Sequence, residues 1–240
     1  MKKYLFLTIA LQFFFSTVAA QEATVKEVLA LFQKTKAYYE TQDAYSMDIA
    51  YDLYKTYDSN ELVEQHTGVF LSKNGATYSK IMQTEQIYSN HHFIKVNHEE
   101  KALFYGKSTS AINAVDIEGI ERILNLFERL TIKKTNDGFI CTMIAPEMTQ
   151  LPYVKLVLYL RNDYSVKKQE AHLATVYPYK DEATGEDVFY SPRFEITFSA
   201  ITTFPKEQAS KLKISSYVHI TSKVALVKGL EDYELILTNK

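Results

Sequence analysis

The stretch "YSMDIAYDLYKTY", residues 45 to 57, alternates apolar and polar side chains from end to end. Successive side chains of an extended strand point to opposite faces. Met47, Ile49, Tyr51, Leu53 and Tyr57 therefore fall on one side, and Asp48, Ala50, Asp52, Tyr54 and Thr56 on the other. A strand this long with one greasy face has to be covered, either by the protein's own core or by something the protein binds. Function turns on which of the two it is.

The same grammar runs through most of the chain. "TGVFLSKNGATYSKIM" places Asn74-Gly75, the pair best suited to the positive backbone angles of a tight hairpin, between two strand-like runs. "EQIYS", "HFIKV" and "KALFYG" follow at short spacing, which predicts an antiparallel meander. "TIKKTNDGFICTMI" predicts a hairpin about Asn136-Asp137-Gly138, and "YVKLVLYLRNDYSVKKQEAHLATV" another about Arg161 to Tyr164. Val154, Leu156, Leu158 and Leu160 share one strand face, as do Phe194, Ile196 and Phe198. Between these runs, "YPYKDEATGEDVFYSP" is acidic and turn-rich and reads as a mobile surface loop or excursion. The terminal "SYVHITSKVALVKGLEDYELILT" reads as one or two closing strands.

Two segments break the rhythm of two. Thr24 followed by Glu27 is a capping box, and Val25, Val28, Leu29, Phe32 and Tyr39 recur at helical spacing behind it. Residues 116 to 130, "DIEGIERILNLFERL", place Asp116 as a cap ahead of Ile117, Ile120, Ile123, Leu124, Phe127 and Leu130. Both helices are amphipathic and must lie on something.

Residues 1 to 20 begin with Lys2 and Lys3, run through apolar residues to Phe15 and end in small ones, the pattern of a secretory signal cleaved after Ala20. The run is shorter than the roughly 20 residues of a membrane span. No cysteine follows it, so the chain lacks an acylation site of its own and is expected in the periplasm, with no integral membrane segment after signal removal. Residues 21 to 240 read as one domain, with no linker and no repeat period. Cys141 is the sole cysteine, which excludes an internal disulfide and leaves a packed core to supply stability. Losing Lys2 and Lys3 leaves 25 of the 27 basic residues against 29 acidic ones, a balance that argues against nucleic acid as a partner.

Candidate chemistry is thin. His91, His92 and His98 with Glu99 or Glu100 match no standard zinc spacing, and no metal or cofactor is expected. Asp48 with Asp52, and Glu118 with Glu121, are carboxylate pairs that wet faces explain without catalysis. No nucleophile elbow, phosphate-binding glycine loop, HExxH helix or CxxC pair occurs, so an enzymatic reading has no anchor.

Two apolar helix stripes and a one-sided sheet of roughly ten strands must cover each other, which gives an α+β architecture that is mainly antiparallel. Helices of this length leave part of a wide curved sheet open. The residues expected along such a cleft are Ile49, Leu53, Leu71, Phe93, Leu124, Phe127, Leu156, Leu158 and Phe198. Periodicity alone does not separate a ligand cleft from an ordinary core.

The order of elements, with Gly68, Val69, Phe70, Leu71 and Lys73 leading into the Asn74-Gly75 hairpin and Ala145-Pro146 opening the second half, resembles the outer-membrane lipoprotein carrier (LolA-like) family over residues 22 to 200. The resemblance implies a curved half-barrel with helices across its concave face as a lid. It also implies an apolar cavity for lipid or the acyl chains of lipoproteins, and donor and acceptor proteins in a Gram-negative envelope. Two other readings stand beside this carrier: a closed-core binding or scaffold module of the envelope, and a hydrolase whose residues converge only in three dimensions.

Overall fold

The computed structural model describes residues 21–108, 117–180 and 183–238. The chain opens with β1 (Gln21–Glu22) and helix α1 (Val25–Glu40), which starts where Thr24 and Glu27 cap each other: the Thr24 amide donates to Glu27 Oε2 at 2.8 Å, and the Glu27 amide to Thr24 Oγ1 at 3.3 Å. A meander follows: β2 (Ala44–Tyr54), β3 (Leu62–Lys73), β4 (Ala76–Ile81), β5 (Thr84–Ser89), β6 (His92–Asn97) and β7 (Ala102–Lys107). Helix α2 (Ile117–Ile123) and a 3-10 turn lead into β8 (Arg129–Thr135), β9 (Gly138–Ile144), β10 (Tyr153–Arg161) and β11 (Val166–Leu173). A small hairpin of β12 (Tyr177–Lys180) and β13 (Asp187–Tyr190) precedes β14 (Arg193–Phe198) and β15 (Thr202–Thr203). Two 3-10 segments, Lys206–Leu212 and Ile214–Ser216, a second small pair, β16 (Val218–Ile220) with β17 (Val224–Leu226), and β18 (Glu234–Thr238) complete the described chain.

Fourteen of these strands form one curved, unclosed sheet in the order β1-β8-β9-β10-β11-β14-β2-β3-β4-β5-β6-β7-β18, with β15 also on β2. This is the expected α+β half-barrel with more strands than the ten anticipated, because short edge pieces join at both ends. Pairing is antiparallel throughout except for β18, which lies parallel to β7 because the chain before it crosses a face of the sheet instead of turning back. Asn74 and Gly75 have φ of 50° and 77°, as the tight hairpin requires. Gly138 has φ 144°, and a Cβ there would sit 1.9 Å from the Leu160 carbonyl oxygen, so the β8–β9 turn admits glycine only.

Following the register strand by strand separates two faces. On one, Tyr45, Met47, Ile49, Phe70, Phe198, Leu156, Leu158, Met143, Cys141 and Leu130 meet Val28, Leu31 and Phe32 of α1 and Ile117 and Ile120 of α2. On the other, Leu71, Tyr78, Ile87, Ile94, Val96, Leu103 and Tyr105 are covered by Phe204, Leu212, Tyr217 and Val218 from the C-terminal crossing. The sheet is thus covered by helices in one half and by the C-terminal segment on the opposite face in the other.

Two expectations change. The helix expected over 116 to 130 is α-helical only over Ile117–Ile123; Phe127 is extended, and Leu130 is drawn into β8 by its pairing with Met143 of β9. The ladder satisfies backbone groups that a further helical turn would leave facing β9. Tyr57, expected on the face of Met47 and Ile49, lies beyond the end of β2, with its ring 4.5 Å from that of His172 on the opposite face. The surface excursion expected over 177 to 192 is built on the β12–β13 hairpin, with Tyr177 opposite Tyr190 and Lys180 opposite Asp187. Asp116 and the signal-like residues 1 to 20 lie outside the described residues.

Candidate functional site

Helix α1 sits on the apolar face through Val28, Leu31 and Phe32, all buried. Its polar ties include the Val166 amide, which donates to Tyr39 Oη at 3.1 Å, Lys34 Nζ, which donates to Tyr164 Oη at 3.3 Å, Lys36, which pairs with Glu118 of α2 at 2.6 Å in an exposed position, and Tyr38, whose side chain meets Ser165 and Asp163. Burial raises the Tyr39 phenol well above its ordinary value, so it stays neutral where it accepts that bond.

Beyond the helix the same face continues into a small cleft of about 220 Å³, lined by Tyr51, Leu53, Ile81 and Phe194 with Glu64 and His66. Cross-strand pairing builds it: Leu53 lies between Phe194 and Glu64, and Tyr51 between Ile196 and His66. Tyr51 stacks on Phe194 with ring centroids 6.0 Å apart. His66 and Glu64 pair with each other at the edge, so the polar groups there satisfy one another and leave the apolar floor to Tyr51, Leu53, Ile81 and Phe194.

The nine residues expected along a cleft divide four ways. Ile49, Leu124, Phe127, Leu156, Leu158 and Phe198 come together under the helices as one packed cluster. Leu53 alone of the nine lines the cleft. Leu71 points to the opposite face, into the second cluster, and Phe93 shares the helix side of β6 with Lys95, away from buried Ile94 and Val96. Sequence reading missed Phe194 and Ile81 as cleft residues; the alternation of "RFEITF" already placed Phe194 on the correct face.

The back of the same strands carries a polar layer that sequence reading also passed over. Lys168 Nζ lies 3.1 Å from both Glu170 Oε2 and Glu195 Oε2, His172 Nε2 lies 2.8 Å from Glu170 Oε1, and Arg193 Nε lies 2.8 Å from Glu195 Oε1. Glu170, His172, Arg193 and Glu195 are all buried. The Tyr57 ring lies 4.5 Å from that of His172, Tyr57 Oη donates to the Leu173 carbonyl at 2.5 Å, and Arg193 donates to the Tyr57 carbonyl. His172, Lys168 and Tyr159 together hold the Glu170 carboxyl down at about 2 despite its burial. Every group has a partner, which makes the layer a brace.

The histidines singled out in sequence serve local contacts. His92 Nδ1 lies 2.7 Å from Tyr105 Oη, and His98 bridges Tyr233 Oη at 2.7 Å and Glu85 at 3.1 Å, helping to fasten the C-terminal crossing. Cys141 is buried in the first cluster, where desolvation pushes its thiol up to about 12 and removes it as a nucleophile at neutral pH. A second, larger and open depression of about 730 Å³ on the back face is lined mainly by apolar surface from Ile49, Ala50, Val69, Met82 and Phe198, two of them among the nine expected residues, with Asp48, Thr67, Lys80 and Ser199 beside them.

No protein-family model and no curated protein matches the chain. Among solved structures, an uncharacterized conserved protein from Thermus thermophilus is 7% identical over 88% of this chain and 99% of its own, with a TM-score of 0.46. A DUF1329 family protein from Desulfovibrio piger is 9% identical over 78% of this chain and 98% of its own, with a TM-score of 0.38. Likeness at this level touches neither ligand nor activity.

Proposed function

We propose that this protein is an exported, periplasmic carrier that binds lipid, or the acyl chain of a lipid-modified protein, along the helix-covered face of its half-barrel. One observation supports this reading above the others: the apolar face under α1 runs on, uncovered, into the cleft of Tyr51, Leu53, Ile81 and Phe194. A cleft of about 220 Å³ is smaller than the roughly 300–1,000 Å³ of typical small-molecule sites, so a long chain must enter by displacing α1. Lifting the helix exposes Val28, Leu31 and Phe32, at about 1.5–3 kcal/mol each, or roughly 5–9 kcal/mol in all. A chain of about sixteen carbons gains on the order of 10 kcal/mol on burial. The two terms are close enough for an acyl chain to take the helix's place reversibly, as a carrier requires. No catalytic group enters this scheme.

The test is displacement of an apolar fluorescent dye by fatty acid. Saturable binding is expected, lost on Leu53→Asp while circular dichroism shows the fold retained. A second reading, a closed-core envelope module acting through its surface, draws on the close packing of Ile49, Leu124, Phe127, Leu156, Leu158 and Phe198. It predicts no saturable dye binding in the wild type.

A further inference from the structure

Among the described residues, most of the large apolar side chains left exposed gather at one end of the strands. Leu126 precedes β8, Met148 lies in the β9–β10 connection, Val176, Tyr177 and Phe189 belong to the β11–β14 excursion, and Leu62 and Val63 open β3. Because the sheet runs β8-β9-β10-β11-β14-β2-β3, these are successive positions along one continuous rim. Met148 is 97% exposed and Phe189 63%. The cleft opens at this same end: Leu53, Phe194 and Glu64 each lie next to the terminal pairs that Tyr54 makes with Arg193 and Leu62.

The geometry points to a docking surface for a lipid bilayer at this rim. The inference rests on the carrier reading for its purpose, since cargo leaving a membrane there would reach the cleft without crossing water. The occupant is identified by how the prongs are distributed. They project from four separate segments and form no single pocket, whereas a protein partner of ordinary affinity needs a contiguous patch of about 800 Å² with a central anchor. A fluid apolar phase accepts isolated prongs wherever they stand. The side chains between them suit an interface: Tyr177, Tyr179 and Tyr190 are amphipathic rings, and Lys55, whose ammonium lies 5.1 Å from the Tyr190 ring centroid, and Lys180 carry long apolar stems beneath their charges.

The experiment is cosedimentation of the full chain with phosphatidylcholine vesicles, with and without added phosphatidylglycerol. The wild type is expected to pellet with neutral vesicles and to remain bound when salt is raised, because insertion rather than charge carries the binding. Met148→Asp and Phe189→Asp, both at exposed sites where the fold does not depend on them, are each expected to lower the partition coefficient on the order of tenfold. Failure of the wild type to pellet with either vesicle overturns the proposal and leaves the rim to a protein partner. Equal pelleting of wild type and both variants overturns it as well. Dye displacement without vesicles is read in parallel: dye uptake without vesicle binding sinks the docking surface alone, and vesicle binding without dye uptake sinks the carrier reading alone.

Discussion

The two faces of strands β10, β11, β14 and β2 bury their side chains by opposite means. Toward α1 stand Leu156, Leu158, Ala171, Phe198, Ile49 and Met47, held by non-directional apolar contact. Behind them stand Lys168, Glu170, His172, Arg193 and Glu195, each fixed by a partner at a defined distance. Apolar contact transfers to any oily body that fits, whereas a buried ion pair fails once one member leaves. Under the carrier reading proposed above, the helix side is the one to exchange its cover, and the back keeps the strands in register while it does so.

Substitutions on each side sharpen this contrast, and the largest effect belongs to the helix side. Phe32→Ala empties a fully buried position between α1 and the sheet and should cost about 3–5 kcal/mol, read as a fall in the denaturant midpoint. On the back face, Arg193→Met leaves the buried Glu195 carboxylate with Lys168 as its remaining partner and should cost about 1–3 kcal/mol, while Arg193→Met with Glu195→Leu should recover part of the loss. No such recovery is open to Phe32→Ala, and equal behaviour of single and double back-face variants would break the distinction.

Acid should weaken the back face. The Glu170 carboxyl titrates at about 2 when folded, against an ordinary 4.5. Its folded pKa is depressed, so the stability it contributes is complete above pH 4.5 and is lost as the pH falls toward 2. Thermal melts across that window should decline in the wild type, and less steeply in Glu170→Gln. At the small end, Glu118→Gln removes the exposed Lys36–Glu118 link between the helices and should leave the melting temperature indistinguishable from wild type, because solvent screens such a pair.

Much of this architecture is legible in the residues. The Thr24 and Glu27 cap, the Asn74-Gly75 hairpin and the alternation of β2 each appear where local chemistry places them, because each depends on neighbours only a few positions away. The opposite covering of the two halves depends on contacts across the whole chain and was not legible as a plan. A local trace of it exists in Phe70-Leu71, two adjacent buried residues of β3 that must face opposite sides and so require a cover on each. The polar layer also left a trace: Lys168, Glu170 and His172 recur at every second position, as do Arg193 and Glu195, and although Glu170 stands directly opposite Glu195, each carboxylate meets a basic partner two positions along its strand or on the diagonal. The apolar partners of those residues, Phe194 and Ile196, drew attention to the other face. Leu126 and Met148 could not be placed on a common rim before the strand order was known.

Where an acyl chain comes to rest on the protein decides most directly whether the helix side exchanges its cover. Photocrosslinking with a diazirine-bearing fatty acid, followed by mass-spectrometric mapping of the adducts, reads that position residue by residue. Adducts on Tyr51, Leu53, Ile81 and Phe194 and on the sheet-facing side of α1 at Leu31 and Phe32 are the predicted result. Adducts confined to the C-terminal crossing or the back face, or no specific adducts at all, would contradict it.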